Sequence, residues 1–389
     1  MRVWQFSEQP YTPAWSQPGS IGVTFSPGHC DPVQAGTLLN RYLDEYMLAD
    51  ELGLNIMVNE HHSTASCMSA SCMTTLAILA RQTKKARLLA LGIPLANRSD
   101  PLRVAEEIAM VDAISGGRLE VGLVKGAGYE LFMSNKQPTH FMDRFWEAHD
   151  LIVEALSNTG ETFSWEGRYF HYRTVSVWPR AIRSPHPPIW MTASGAGSAR
   201  LHAKYDYTCA TFLSGTVARS VFDGYRESYK LAHGRTASED KLGYLAVVSV
   251  AGSRAEAFKR AAKMKGYFDT AMRVDAQFRN PPGFASVDEM VKATRQKTSG
   301  FLSVPPNATV QDYMDRGLMF VGTPDDVFDQ LKQFYADVGG FGNLLMMGQA
   351  GTLDHAETVD NLTLVAKELQ PRLLELSLED YGTPIFKLA

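Results

Sequence analysis

Cysteine is scarce in this chain: Cys30, Cys67, Cys72 and Cys209 are the only four in 389 residues. None forms a CxxC pair, and so few scattered thiols exclude a disulfide scaffold and point to a reducing, cytoplasmic compartment. No stretch approaches the ~18 uninterrupted apolar residues of a membrane span. The start, Met1-Arg2-Val3-Trp4-Gln5-Phe6, lacks the basic segment, apolar run and cleavage site of a secretory leader. Charge of one sign is missing too. A net charge of −4, with acids and bases spread along the whole length, gives no electrostatic case for nucleic acid or an anionic membrane surface. Internal repeats and low-complexity tracts are also absent.

What is present is an ordinary globular composition, 45% hydrophobic and 21% charged, in a chain long enough to bury a full core. Short apolar runs alternate with longer segments of helical period. Candidate strands are Ile21–Phe25, Asn55–Val58, Leu88–Ile93, Leu119–Val124, Ile189–Thr192, Tyr207–Phe212, Leu242–Val250 and Asn343–Met347. Helical patterns at Leu38–Leu52, Thr74–Gln82, Pro101–Ile114, Ala199–Lys204 and Val327–Val338 lie among them. Runs without a period of two suit strands buried on both faces, and strand–helix alternation argues for parallel βα units. Eight strands favour a closed (β/α)8 TIM barrel of the α/β class, expected as one domain over residues 1–389. Ser115-Gly116-Gly117 marks a helix end, and Thr323-Pro324-Asp325-Asp326 a capped helix start. Two segments exceed a plain repeat, Gly126–Pro188 after strand four and Gly252–Phe341 before strand eight. Long barrel insertions usually lie over the mouth as lids.

Asn59-Glu60-His61-His62 follows the second strand, at the end of a barrel strand where catalytic groups sit. It reads either as a solvated loop pair or as a strand-end acid–base histidine. A metal site needs further ligands, since adjacent histidines point in different directions. Ala193-Ser194-Gly195-Ala196-Gly197-Ser198 follows the fifth strand and opens a helix. Its glycines and unpaired N–H groups suit a phosphate, though a ligand-free capped connection fits as well. Lys125 closes the fourth strand, either as a surface charge or as a partner for the same phosphate. The Ile93-Pro94 bond is expected trans. The aromatics Phe163, Trp165, Tyr169, Phe170, Tyr172 and Trp178 fit a pocket lining or a satellite core equally well.

Taken together, these marks resemble the bacterial luciferase-like flavin monooxygenases over nearly the whole chain. The resemblance rests on Asn59-Glu60-His61-His62 and on the block from Ile93-Pro94-Leu95 to Glu106-Glu107. It continues through Val111-Asp112-Ala113-Ile114-Ser115-Gly116-Gly117-Arg118-Leu119, Pro188-Ile189-Trp190-Met191-Thr192-Ala193-Ser194-Gly195, Val321-Gly322-Thr323-Pro324 and Gly339-Gly340-Phe341.

The resemblance implies a parallel barrel holding reduced FMN (FMNH2), which reacts with dioxygen at C4a to give a peroxyflavin and oxygenates a small apolar molecule. It implies a separate NAD(P)H:flavin reductase as partner, and a homodimer. His61 takes the place of the family's active-site histidine, and Lys125 that of a phosphate-binding arginine. Ala193, Ser194, Gly195, Gly197 and Ser198 match the phosphate loop. The Gly92-Ile93 peptide matches a bond often found cis beneath the flavin rings. Two departures stand out. Lysine keeps the charge of arginine but loses its bidentate fork. Val124 stands where luciferases carry cysteine, so light emission is not expected. His62 either orients His61 or, the preferred reading, faces solvent. The competing classes are a deazaflavin-dependent hydride-transfer enzyme, a non-catalytic flavin-binding paralogue, and a metal-dependent barrel hydrolase using both histidines.

Overall fold

The computed structural model describes residues 1–271, 273–279, 281–284, 287, 291, 304 and 307–376. Eight parallel strands close a barrel: β1 (Arg2–Ser7), β2 (Asn55–Val58), β3 (Leu88–Pro94), β4 (Leu119–Val124), β7 (Ile189–Thr192), β8 (Thr208–Phe212), β9 (Leu242–Val250) and β11 (Asn343–Gln349). They pair in that order, and closure comes from β11 pairing with both β1 and β9. Helices α1 (Pro32–Glu51), α2 (Cys72–Gln82), α3 (Pro101–Ser115), α4 (Gly128–Met133), α5 (Phe141–Ser157), α6 (Ala196–Lys204), α7 (Ala218–His233) and α8 (Arg254–Ala271) run between strands.

The strands form because both their faces are buried. Every residue of β3, β9 and β11 is buried, the arrangement that parallel βα units impose on their strands. Inside the barrel, Trp4 of β1 and Trp190 of the opposite strand β7 meet edge to face with centroids 5.6 Å apart. Their rings fill the lumen with Phe6, Leu89, Leu91, Leu245 and Met347, which makes it a core and not a pore. A second apolar layer, including Ile56, Ile93, Val104, Ile108 and Ile152, seals strands to helices. Helix boundaries follow local chemistry. Asp100 caps α3 by accepting from Arg103 N ahead of Pro101, and Gly116 ends it at φ +69°. Thr323 and Asp326 form the expected capping box on the helix Pro324–Asp337.

Three features depart from expectation. The first strand is Arg2–Ser7, and Ile21–Phe25 is loop; Val23 takes φ +59° there, and Gly22 makes only an isolated bridge to Thr64. The β-branched look of that run comes from a buried Ile21 anchoring the loop after β1. A short extra strand, β10 (Met319–Gly322), lies beside Val247–Val250 of β9, on the edge whose other half, Leu242–Leu245, pairs with β8. The aromatic insertion forms an antiparallel hairpin, β5 (Phe163–Glu166) with β6 (His171–Val175). Glu147 of α5 holds its turn by accepting from the N–H groups of Arg168, Tyr169 and Phe170, and Tyr172 donates to Asp100 at 2.7 Å. These anchors lay Phe163, Trp165, Tyr169 and Tyr172 against the outer helical layer, as a satellite core and not a lid. Among the described residues no helix is long and apolar enough to cross a membrane.

Candidate active site

The loops after β1, β2 and β4 meet at one corner of the barrel mouth. His61 Nδ1 lies 3.1 Å from Glu130 Oε1, which also accepts from His62 N at 3.1 Å. The other oxygen, Oε2, accepts from Ala127 N at 2.8 Å, so one carboxylate of α4 ties the β2 loop to the β4 loop. His61 Nε2 lies 4.0 Å from Glu8 Oε2, and Asn59 Nδ2 donates to Glu8 at 2.5 Å. The Tyr129 hydroxyl lies 3.4 Å from His61 Nδ1, and Tyr267 of α8 hydrogen-bonds Glu8.

Electrostatics separate the two carboxyls. Burial works against the charged form of His61, but the hydrogen bond and charge of Glu130, with Glu8 and Glu60, push its pKa up to about 9. Glu130 is itself wholly buried, which favours its neutral form. Its contacts with His61 and Ala127 N nevertheless hold it below the usual carboxylate range. For Glu8 burial prevails over His61, Asn59 and Tyr267, and its pKa is raised. The result is an imidazolium–carboxylate pair beside a carboxyl drifting toward neutral. A third of the His61 side chain remains exposed, so the ring meets the mouth. His62 does not face solvent. Its Nε2 lies 3.0 Å from Glu60 Oε1, and Glu60 also holds Arg98 and accepts from Cys72 N.

The opposite corner is built differently. Helix α6 starts after Gly195 with no side-chain cap, and Ser198 Oγ turns back to Gly195 O at 3.0 Å. Cβ positions built on Gly195 and Gly197 meet nothing within 4 Å, and Ser194 is exposed. Ala193 stays in the sheet ladder, its N–H given to Ala210 O. Lys125 stands on the neighbouring strand end: Gly122 pairs with Trp190, which sets Lys125 level with Ala193 three positions on. Its Nζ sits 4.5 Å from the Phe284 ring, which stacks on Phe141. Open N–H groups and small residues make a cradle that suits a phosphate, with Lys125 on the adjacent strand end.

Between these corners run the ends of β3 and β4. Following β2-β3-β4-β7, the corners are three strand spacings apart, roughly 14 Å at about 4.8 Å per strand. On the way, a Cβ on Gly92 would meet Val124 Cγ1 at 2.5 Å and Gly122 O at 2.8 Å, so the close approach of β3 to β4 leaves no room for a side chain at position 92. The cis bond is Leu91-Gly92, one bond before the expected Gly92-Ile93, and Ile93 points into the outer layer while Leu91 lines the lumen. Phe6, Leu91, Val124 and Phe212 supply apolar walls at the strand ends. A phosphate bearing a long planar ring system fits this layout.

Residues 273–279 and 281–284 pack against the loops that follow β1 and β4. Arg273 donates to Gln17 O and Trp15 O, Phe278 packs edge-on against Phe132, and Phe284 stacks on Phe141. This part of the second insertion thus lies against the loops beyond the strand ends; Asn280 lies outside the described residues. Sequence reasoning did not single out Glu8, Tyr129, Glu130 or Tyr267. An acid six positions beyond the end of β4, in Gly126-Ala127-Gly128-Tyr129-Glu130, was the available signal for one of them. Among the described residues no group of three or more His, Cys, Asp or Glu is arranged to hold a metal ion.

A closed parallel barrel with its polar groups gathered beyond the strands' carboxyl ends belongs with the (β/α)8 enzymes. The family is narrower: residues 21–340 match the model of the luciferase-like monooxygenases, and the chain belongs to that family. It is 31% identical over 230 residues to the uncharacterized protein y4wF of Sinorhizobium fredii, covering 58% of this chain and 66% of that one. It is 30% identical over 166 residues to the oxygenase component of the flavin-dependent trigonelline monooxygenase of Acinetobacter baylyi, 41% of this chain and 45% of the relative. The chain thus spans less than two thirds of the trigonelline enzyme's length and about two thirds of y4wF. Limonene 1,2-monooxygenase of Rhodococcus erythropolis matches at 23% over 364 residues, 90% of this chain and 86% of that one. In fold, the chain is similar to the oxygenating constituent of 3,6-diketocamphane monooxygenase of Pseudomonas putida, solved in complex with FMN. That likeness has a TM-score of 0.70 at 21% identity over 95% of this chain and 98% of that one. An F420-dependent secondary alcohol dehydrogenase shares the fold at TM-score 0.62 and 14% identity, over 87% of this chain and 94% of that one.

Proposed function

We propose that this protein is the oxygenase component of a two-component system. It takes reduced FMN from a separate NAD(P)H-dependent flavin reductase and uses dioxygen to oxygenate a small apolar organic molecule. The observation that carries this reading is an uncapped helix start at one side of the barrel mouth and a carboxylate-bracketed histidine three strands away, spaced for a phosphate and its ring system. The trigonelline and limonene enzymes support it by family.

When bound, FMN supplies the oxygen-activating redox chemistry, which no side chain provides. The protein does the rest. Ser194, Gly195, Gly197, Ser198 and Lys125 bind the phosphate, and the backbone at Gly92 and Ile93 carries the rings. His61 holds a proton at Nε2, ready to donate to an oxygen anion at the mouth. The segments 273–279 and 281–284 and the apolar strand ends exclude water, protecting oxygenation against loss as hydrogen peroxide. The four cysteines, none of them bridged, fit a cytoplasmic protein. Exposed Ile78, Met110 and Ile114 on the packed pair α2 and α3 offer an apolar face for a homodimer.

Stopped-flow mixing of the reduced-FMN-loaded protein with oxygen tests this reading. A transient flavin absorbance distinct from both the reduced and the oxidised forms is expected. Direct reoxidation without it, or tight deazaflavin binding with indifference to FMN, would instead favour a hydride-transfer enzyme of the same fold.

A further inference from the structure

The His61 corner holds more machinery than the proposed reaction has so far used. Glu130 has no exposed side-chain surface, and one of its two carboxylate oxygens is given wholly to the His61-His62 segment. Oε1 takes His61 Nδ1 and the His62 N–H, the backbone donor directly after His61; Oε2 takes Ala127 N at the start of α4. We propose that Glu130 is the positioning residue for His61: it fixes the ring plane, commits Nδ1–H to itself, and so makes Nε2–H the donor that faces the barrel mouth. The inference rests on the oxygenase reading for its catalytic meaning, but its central measurement does not.

The geometry excludes a purely structural clasp. A cap for the short helix α4 needs only Oε2 on Ala127 N. Placing Oε1 of a carboxylate with no exposed surface within 3.1 Å of an ionisable ring makes that contact a strong charge-assisted hydrogen bond. The second-nearest acid works from the other side: Glu8 lies 4.0 Å from Nε2, is held by Asn59 and Tyr267, and is pushed toward its neutral form by burial. The remaining titratable neighbours of His61 are Glu60, His62 and Cys67 on the β2 loop and Tyr129 on α4. The thiol and the phenol are both raised by burial and stay uncharged near neutrality. Glu130 is therefore the anion in direct contact with the ring. A fixed carboxylate behind a histidine sets its tautomer and its basicity in the same way that outer partners do at other histidine sites.

The test is a titration of the full ligand-free chain labelled with 15N-histidine, with His61 assigned by the His61→Gln variant. In the wild type His61 is expected to titrate near pH 9. In Glu130→Gln, which keeps the shape and removes the charge, its pKa should fall by roughly two units, a hundredfold loss of proton affinity. Glu130→Asp should retain part of the shift, and decides the matter if the glutamine variant does not fold. FMN affinity should stay within about threefold, because the phosphate cradle is untouched. With any oxygenation substrate in hand, the alkaline limb of the kcat profile should move down with the titration. An unchanged His61 pKa in both variants would overturn the proposal, even if melting temperature dropped. Absence of oxygenation in the wild type would instead count against the function proposed above and leave this measurement standing.

Discussion

The two corners of the mouth solve opposite problems. At the His61 corner the polar atoms are mutually engaged: Glu130, Glu8, Asn59, Tyr129 and Tyr267 bracket one ring before any ligand arrives. At the Ser194–Ser198 corner the helix start carries no side-chain cap, and the space above its glycines is open. The first corner holds a proton through preorganised charges, and cannot shift without leaving a buried carboxylate unpaired. The second leaves its helix start without a side-chain cap, an arrangement that favours an anion. Proton chemistry and cofactor affinity should therefore be separable by mutation.

The sharpest way to break that division is His61→Ala. Oxygenation should fall by about 10²–10⁴-fold, the range for losing a positioned acid–base group, while FMN affinity changes little. Equal turnover in the variant would remove His61 from the chemistry. Next comes Lys125→Ala, which should weaken FMN by about 10-fold or more, for a lost charge-assisted contact, and leave riboflavin nearly unaffected. Parallel losses for both flavins would mean the phosphate lies elsewhere. Gly92→Ala probes the strand ends between the corners. Its new methyl meets Val124 Cγ1 and Gly122 O, so a thermal melt should show a loss of about 1–3 kcal/mol, with FMN and riboflavin weakened alike.

The smallest effect concerns pH. The His61 pKa is raised in the folded state, so its contribution to stability is fully present below about 6.5 and is lost as pH rises through about 9. The difference in melting temperature between wild type and His61→Gln should therefore be largest near pH 6 and shrink toward pH 9.5. A gap that widens with pH would show that the ring is neutral in the native protein. Glu130, lowered in the folded state, works in the opposite sense, contributing above its ordinary value and losing that contribution as pH falls.

The barrel was readable in the sequence where strands are wholly buried. Leu119–Val124, Ile189–Thr192 and Leu242–Val250 appear in the structure with the boundaries their apolar runs suggest. Arg2–Ser7 was hidden because Gln5 and Ser7 interrupt it, although both are buried through tertiary contacts. Missing that strand also hid Glu8, the residue after it. His61 could be found because strand-end position alone makes a histidine interesting. Glu130 could not be tied to it, because the two lie sixty-nine positions apart and meet only through the pairing of β2 and β4 with β3 and the turn into α4. The aromatic insertion illustrates the limit of composition: the same residues suit a lid or an outer hairpin, and Glu147 decides between them through backbone contacts that no hydrophobicity pattern encodes.

Strand β9 has a consequence for how such a protein can change. One of its edges serves two neighbours in succession, β8 below and β10 above, and Ala251 N donates to Gly322 O where β10 ends. Arg254 at the start of α8 reaches across to Asp326, with Nε donating to Oδ2 at 2.8 Å. The chain thus departs from β9 and comes home to it, its exit and re-entry stitched side by side. Anything threaded between those stitches can be lengthened at only about 0.6 kcal/mol per doubling of a flexible loop, with the barrel wall never unzipped. Evolution is left with a socket in which the covering of the mouth can be recut for a new substrate while the wall beneath keeps its shape.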